Sequence, residues 1–284
     1  MGKILIFFGI LALLFVANNQ EAKAQIIDGA YKRVDLKDRK PTAIPYTREA
    51  DVMFRKKVWR IIDLREKMNQ PLYFPTEVMD GRSNLVTLLV QGIKEGKLTA
   101  YDAKFDDEFK IPMTYDQVKE VFGATTRTKM VRDPDTGELV PQKVTGEIHS
   151  EEIKQIMVKE EWIFDKQTST MNVRIIGICP IQEFFRAEDT NQESALHRQV
   201  FWIYFPEARG ILAANEVFNP QNTARNASFD DIFLKRKFDS YIVKEENIYN
   251  NRDISKYLSG KNAMLESRRI ENSIFDYEQN LWEY

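Results

Sequence analysis

From Ile156 to Phe164 two sets of side chains alternate along the chain. Ile156, Val158, Glu160, Trp162 and Phe164 fall on one side, and Met157, Lys159, Glu161 and Ile163 on the other. A pleated strand sends successive side chains to opposite faces, so this stretch demands a sheet with at least one covered face. Met171–Ile178 supplies a second strand after the polar Asp165–Thr170 turn. Val200–Phe205, apolar throughout, reads as a third and central strand, and Ile211–Phe218 as a fourth. Together they predict an antiparallel β core.

Helices are expected on both sides of that core. Between Thr47 and Met68, Phe54, Val58, Ile61 and Ile62 recur at helical spacing, with Thr47 as cap and Pro71 as stop. A second helix runs from a Ser83 cap through Leu85, Leu88, Leu89 and Ile93 towards Gly96. Thr114 and Gln117 form a capping box for a short helix carrying Val118 and Phe122, closed by Gly123. Beyond the sheet, Ser228 and Asp231 open a helix with Leu234, Phe238, Tyr241 and Ile242 on its stripe. A short turn is expected near Ile254, and a last helix over about Asn262–Trp282 carries Ile270, Ile274, Tyr277 and Leu281. The predicted class is α+β: a helical N-terminal part, a small antiparallel sheet and a helical C-terminal part. Residues 47–284 form one such domain, and any division between a helical and a β-containing part falls near 124–150. There the Asp133–Gly137 run predicts a hairpin turn or an exposed loop.

The N-terminus reads as an address. Lys3 precedes an apolar run from Ile4 to Ala17, and Ala22-Lys23-Ala24 is followed by Gln25. Such a run suits a cleaved secretory signal over residues 1–24, being shorter than the roughly 20 residues of a membrane span. Residues 25–46, polar with Pro41 and Pro45, are expected to form an extended arm that is loose or laid on a partner. No other stretch has membrane length.

Chemistry-bearing residues are sparse. With 41 Lys plus Arg against 43 Asp plus Glu, the chain lacks the basic excess of a general nucleic-acid binder. The two histidines, His149 and His197, make no metal-ligand spacing, and a zinc site would need distant carboxylates. Cys179 beside Pro180 reads as a buried small hydrophobe, and being the one cysteine it forms no intramolecular disulfide. Asp133, Asp135 and Gly137 suggest a calcium loop, but Glu138 and Val144 stand where such a loop needs Gly and Glu. No catalytic, cofactor or metal site is predicted. The rival expectation is an exported hydrolase whose site is assembled from distant carboxylates.

One stretch carries a family likeness. Arg48-Glu49-Ala50-Asp51-Val52-Met53, then Trp59–Lys67 and Pro71-Leu72-Tyr73-Phe74-Pro75, resembles the GldN/PorN family, which serves the type IX secretion system and, in some species, gliding motility. The resemblance implies a non-enzymatic structural subunit of a periplasmic ring complex. It further implies assembly with an outer-membrane lipoprotein of the GldK/PorK type, contact with the periplasmic part of a GldM/PorM-type inner-membrane protein, and residence at the inner face of the outer membrane. It brings no catalytic residues and no cofactor. On the expected first helix, Trp59, Arg60 and Arg65 are the candidate protein-interaction residues, because Trp and Arg are enriched at interface hot spots. The alternative reading makes Trp59 a packing residue at the edge of the core and Arg60 and Arg65 part of a solvated face with local ion pairs.

Overall fold

The Thr47–Met68 segment is a strand where its spacing predicts a helix: β1 (Val52–Asp63) pairs along its length with a central strand of the sheet. The physical reason lies in the spacing itself. Phe54, Val58 and Ile62 are four residues apart, which fits one helix face and equally one strand face. Val52, Val58, Ile61 and Ile62 are β-branched and favour the pleat. Cross-strand pairing then decides.

The remaining strands are β2 (Ala100–Asp102), β3 (Pro112–Met113), β4 (Arg127–Arg132), β5 (Leu139–Val144), β6 (Ile153–Asp165), β7 (Thr170–Phe184), β8 (Leu196–Gln199), β9 (Phe201–Tyr204), β10 (Glu216–Val217), β11 (Ala227–Ser228) and β12 (Tyr241–Glu245). The helices are α1 (Gln70–Tyr73), α2 (Leu85–Lys94), α3 (Tyr115–Val121), α4 (Phe205–Ala214), α5 (Phe229–Leu234) and α6 (Lys261–Trp282). This computed structural model describes residues 38–282 except 80, 105–106, 125–126, 133–138, 145, 147, 185–195 and 219–226, with backbone alone at 127–144 and 281–282. The expected signal segment and the Asp133–Gly137 turn therefore lie outside the described residues, although β4 and β5 do pair as a hairpin on either side of that turn.

Eight strands form one antiparallel sheet in the order β12-β1-β6-β7-β9-β2-β3, with β8 also pairing β7. The expected small sheet between two helical parts is thus replaced by a large sheet that begins at Val52 and is closed at one edge by β12. Two further segments depart from expectation. The first half of Ile211–Phe218 ends α4, because Pro206 fits the first turn of a helix and Ala208, Leu212 and Ala213 bury one side of it. Only Glu216–Val217 of the expected strand is extended, as the short β10. The helix opened by Ser228 keeps its capping box but ends at Leu234; Arg236 takes a left-handed φ of 50° and the chain returns as β12. The Thr114 capping box and the last helix fall where predicted, while α2 is capped by Asn84, whose side chain accepts from Thr87 N, and not by Ser83.

Register places Val58 opposite Glu160, Arg60 opposite Val158 and Ile62 opposite Ile156. The even-numbered residues of β1 and β6 consequently share a face. Ile62, Ile156 and Val158 pack there with Leu85 and Leu89 of α2, Phe205 and Leu212 of α4, and Phe229 and Phe233 of α5. Further along, Val58 and Ile242 pack under Ile270 and Ile274 of α6. The opposite face buries Trp59, Cys179, Trp202 and Ala103, flanked by Tyr101 and Phe109. Phe109, itself at φ 60°, lays its ring where a Cβ on Gly177 would stand. The sheet is covered on both faces.

Candidate interaction surface

Strand geometry separates the residues that a helix would have put together. Trp59 and Arg60 are neighbours on β1, so they point to opposite faces.

Trp59 is 1% exposed. The Lys159 and Lys244 ammonium groups stand 5.4 and 4.2 Å from the centre of its ring, a cation–π arrangement. Asp107, from the connector between β2 and β3, holds both: Lys159 Nζ donates to its backbone oxygen at 2.7 Å and Lys244 Nζ to its carboxylate at 3.2 Å. Burial acts to raise the Asp107 carboxyl, but attraction to Lys159 and Lys244 outweighs it and holds the group below the ordinary range. Burial lowers the Lys159 pKa against the pull of Asp107.

Arg60 is also internal. Its Nη2 donates to Glu271 on α6 at 2.6 Å and its Nη1 to Ser240 at 3.1 Å, while its Nε lies 3.5 Å from Glu160. Glu160 is completely buried and accepts from Arg236 Nη1 at 2.8 Å, Arg236 Nη2 at 3.3 Å and Trp162 Nε1 at 3.2 Å. The group links β1, β6, the turn after α5 and α6. Arg65 alone of the three candidates is exposed, and its guanidinium grips Asp63 from outside at 2.6 and 2.9 Å. That hydrogen bond, against a smaller cost of burial, lowers the Asp63 pKa.

A further polar cluster fastens the arm. Arg209 and Asp230, both buried, pair at 2.9 and 3.1 Å, and Arg209 Nη2 also donates to Thr42 O at 2.5 Å. Arg39 meets Asp231 at 2.9 Å and Arg174 donates to Pro45 O at 2.9 Å. Residues 39, 42 and 45 are thus anchored at every third position, so this part of the arm lies on its own chain. Sequence reasoning missed all three of these polar clusters. A signal existed for the one around Glu160, which interrupts an otherwise apolar row.

His149 and His197 are exposed. Cys179 is fully buried, and burial pushes its thiol well above the ordinary value. Among the described residues no group of three or more His, Cys, Asp or Glu side chains gathers to hold a metal ion. No helix among them is long and apolar enough to cross a membrane.

What the fold defines is a large antiparallel sheet protein whose buried ionisable residues pair with one another across elements. The chain belongs to the GldN family: the family model described as gliding motility associated protein GldN matches residues 47–283. The match spans β1 through the whole of α6. Membership makes the chain a component of the gliding-motility and type IX secretion machinery. No match was found among curated proteins.

Proposed function

We propose that this chain is a non-enzymatic structural subunit of a periplasmic ring complex in type IX protein secretion. The family match over residues 47–283 carries the proposal. In this reading residues 1–24 direct export and are removed. The folded subunit then assembles with copies of itself, with an outer-membrane lipoprotein of the GldK/PorK type and with the periplasmic part of a GldM/PorM-type protein, at the inner face of the outer membrane. Trp59 and Arg60 contribute by holding the sheet and α6 together behind the contact surfaces. Arg65, exposed and aligned by Asp63, is the one of the three whose side chain is offered to a partner directly.

Fractionation of cells producing the full-length chain tests the address and the role together. A mature N-terminus at or near Gln25 in the periplasmic or outer-membrane-associated fraction, with loss of secretion when the gene is deleted, is the expected result. An uncleaved cytoplasmic product, or normal secretion without the protein, contradicts the proposal.

A further inference from the structure

The sheet face that buries Trp59 is closed by three residues of the connector between β2 and β3, Asp107–Phe109, set into a pit in that face. The ring of Phe109 lies on bare backbone at Gly177, where a Cβ would overlap its Cζ. Tyr101, Trp202 and Tyr204 stand edge-on around it, with ring centres 5.6, 6.0 and 5.7 Å away. At the other end Asp107 O accepts from Lys159 Nζ at 2.7 Å. The Asp107 carboxylate accepts from Lys244 Nζ at 3.2 Å and lies 3.5 Å from Lys159 Nζ. Among the described residues it is the only carboxylate that pairs with either lysine. Both ammonium groups also lie against the Trp59 ring.

The side chains fit, but the backbone that carries them does so under constraint. Phe109 takes φ 60°, a left-handed conformation that a bulky residue keeps only when its surroundings impose it. Trp59 and Trp202, which wall the pit together with Phe109, are each 1% exposed, and their indole N–H groups have no acceptor. Buried donors are ordinarily paired, so the pit holds two hydrogen bonds that Asp107–Phe109 does not take. The three residues are also lightly held. Asp102 N donates to Ile111 O at 2.9 Å and closes the base of the connector. Between those ends Asp107 and Phe109 make no backbone-to-backbone hydrogen bond among the described residues, and Glu108 is exposed.

We infer that this pit is a binding site for a segment of a partner protein in which an acid stands two residues before an aromatic, and that Asp107–Phe109 fills it until the partner's segment displaces it. The acid is required because the departure of Asp107 leaves two lysines, one of them buried, side by side without a counter-ion. The aromatic is required because Gly177 leaves a flat gap ringed by three aromatic edges. A separate chain has advantages that the connector lacks. It enters with ordinary extended φ values, and its carbonyl oxygens can accept from the two unpaired indole N–H groups. The site adds to the structural role proposed above and needs no ring.

Titration with the acetylated, amidated peptide Ser-Asp-Glu-Phe-Ser tests the site, using the chain produced from its full-length gene and purified. The peptide carries no tryptophan, so a change in tryptophan fluorescence comes from the protein. The wild-type chain should bind the peptide, and Phe109→Ala should bind it about tenfold more tightly, because the tethered competitor has lost its ring. Peptides with Asn for Asp, or Ala for Phe, should bind about tenfold more weakly to both proteins. Lys244→Met should remove the preference for Asp over Asn. Should Phe109→Ala fail to melt cooperatively, Phe109→Leu replaces it with a several-fold gain expected, and the wild-type titration decides in either case. No binding to the folded wild-type chain at about 10 mM peptide, above the millimolar effective concentration of a short tethered segment, overturns the proposal. It does so even if Phe109→Ala binds, because the connector is then a permanent cover. Equal binding by wild type and Phe109→Ala, or indifference to the Asp and Phe of the peptide, also overturns it.

Discussion

Replacing Glu160 by Gln keeps the size of the side chain, removes its charge and turns an accepting oxygen into a donor facing other donors. In the wild-type chain the carboxylate takes both Arg236 hydrogen bonds and the Trp162 indole N–H, with the Arg60 guanidinium 3.5 Å away. Removing one partner of a buried ion pair costs about 3–5 kcal/mol, because the other charge remains desolvated. Two features reduce the loss here. Arg60 retains Glu271 and Ser240, and the Arg236 side chain is 29% exposed and can turn towards water. We therefore expect the low end, about 3 kcal/mol. For a domain of this size that is a fall in melting temperature of about 6–12 °C, at 2–4 °C per kcal/mol. Urea unfolding followed by tryptophan fluorescence should show the midpoint falling with little change in slope. A loss below about 1 kcal/mol would mean that the cluster does not hold β1, β6 and α6 together, and the structural account of Arg60 and Glu160 would fail.

Gly177→Ala should destabilise the fold by about 1–3 kcal/mol, since the new methyl meets the Phe109 ring and Ile203 O; a melting temperature within error of wild type would refute that packing. Acid should weaken the protein through Asp63, Asp107 and Asp231, whose folded pKa values all lie below the ordinary 3.8. Their stabilisation is present above that value and is lost as pH falls through the lower folded pKa, so Asp107→Asn should flatten the slope of stability against pH below about pH 4. Cys179 should react with a thiol reagent only as fast as the protein unfolds, because its thiolate is disfavoured by burial; fast labelling of the native protein would contradict its placement. Substituting His149, His197 and Cys179 together should leave secretion within a few-fold of wild type at matched protein levels, and abolished secretion with intact assembly would revive a catalytic reading.

The strands of the middle region were legible because alternation admits one interpretation. Ile156–Phe164 and Met171–Ile178 fall within β6 and β7, and the capping residues of α3 and α5 mark where those helices begin. What sequence could not decide was the period of β1. Apolar residues four apart satisfy both a helix and a strand, and only β6 on one side and β12 on the other settle the matter. The same ambiguity decided the candidate site. On a helix Trp59, Arg60 and Arg65 could have edged one surface; on β1 the first two turn to opposite buried faces, and Arg65 lies beyond the end of the strand. The Arg209–Asp230 pair and the Arg60–Glu160–Arg236 group join residues 21 to 176 positions apart, a separation that no local pattern reports.

The central claim is that this chain works as a repeated structural subunit in the secretion envelope. Affinity capture of the tagged full-length chain from gently solubilised cell envelopes, followed by native mass determination, addresses it most directly. The account predicts a large assembly holding many copies of this chain together with an outer-membrane lipoprotein. A protein recovered as a lone monomer, free of any lipoprotein and of other copies of itself, would contradict it.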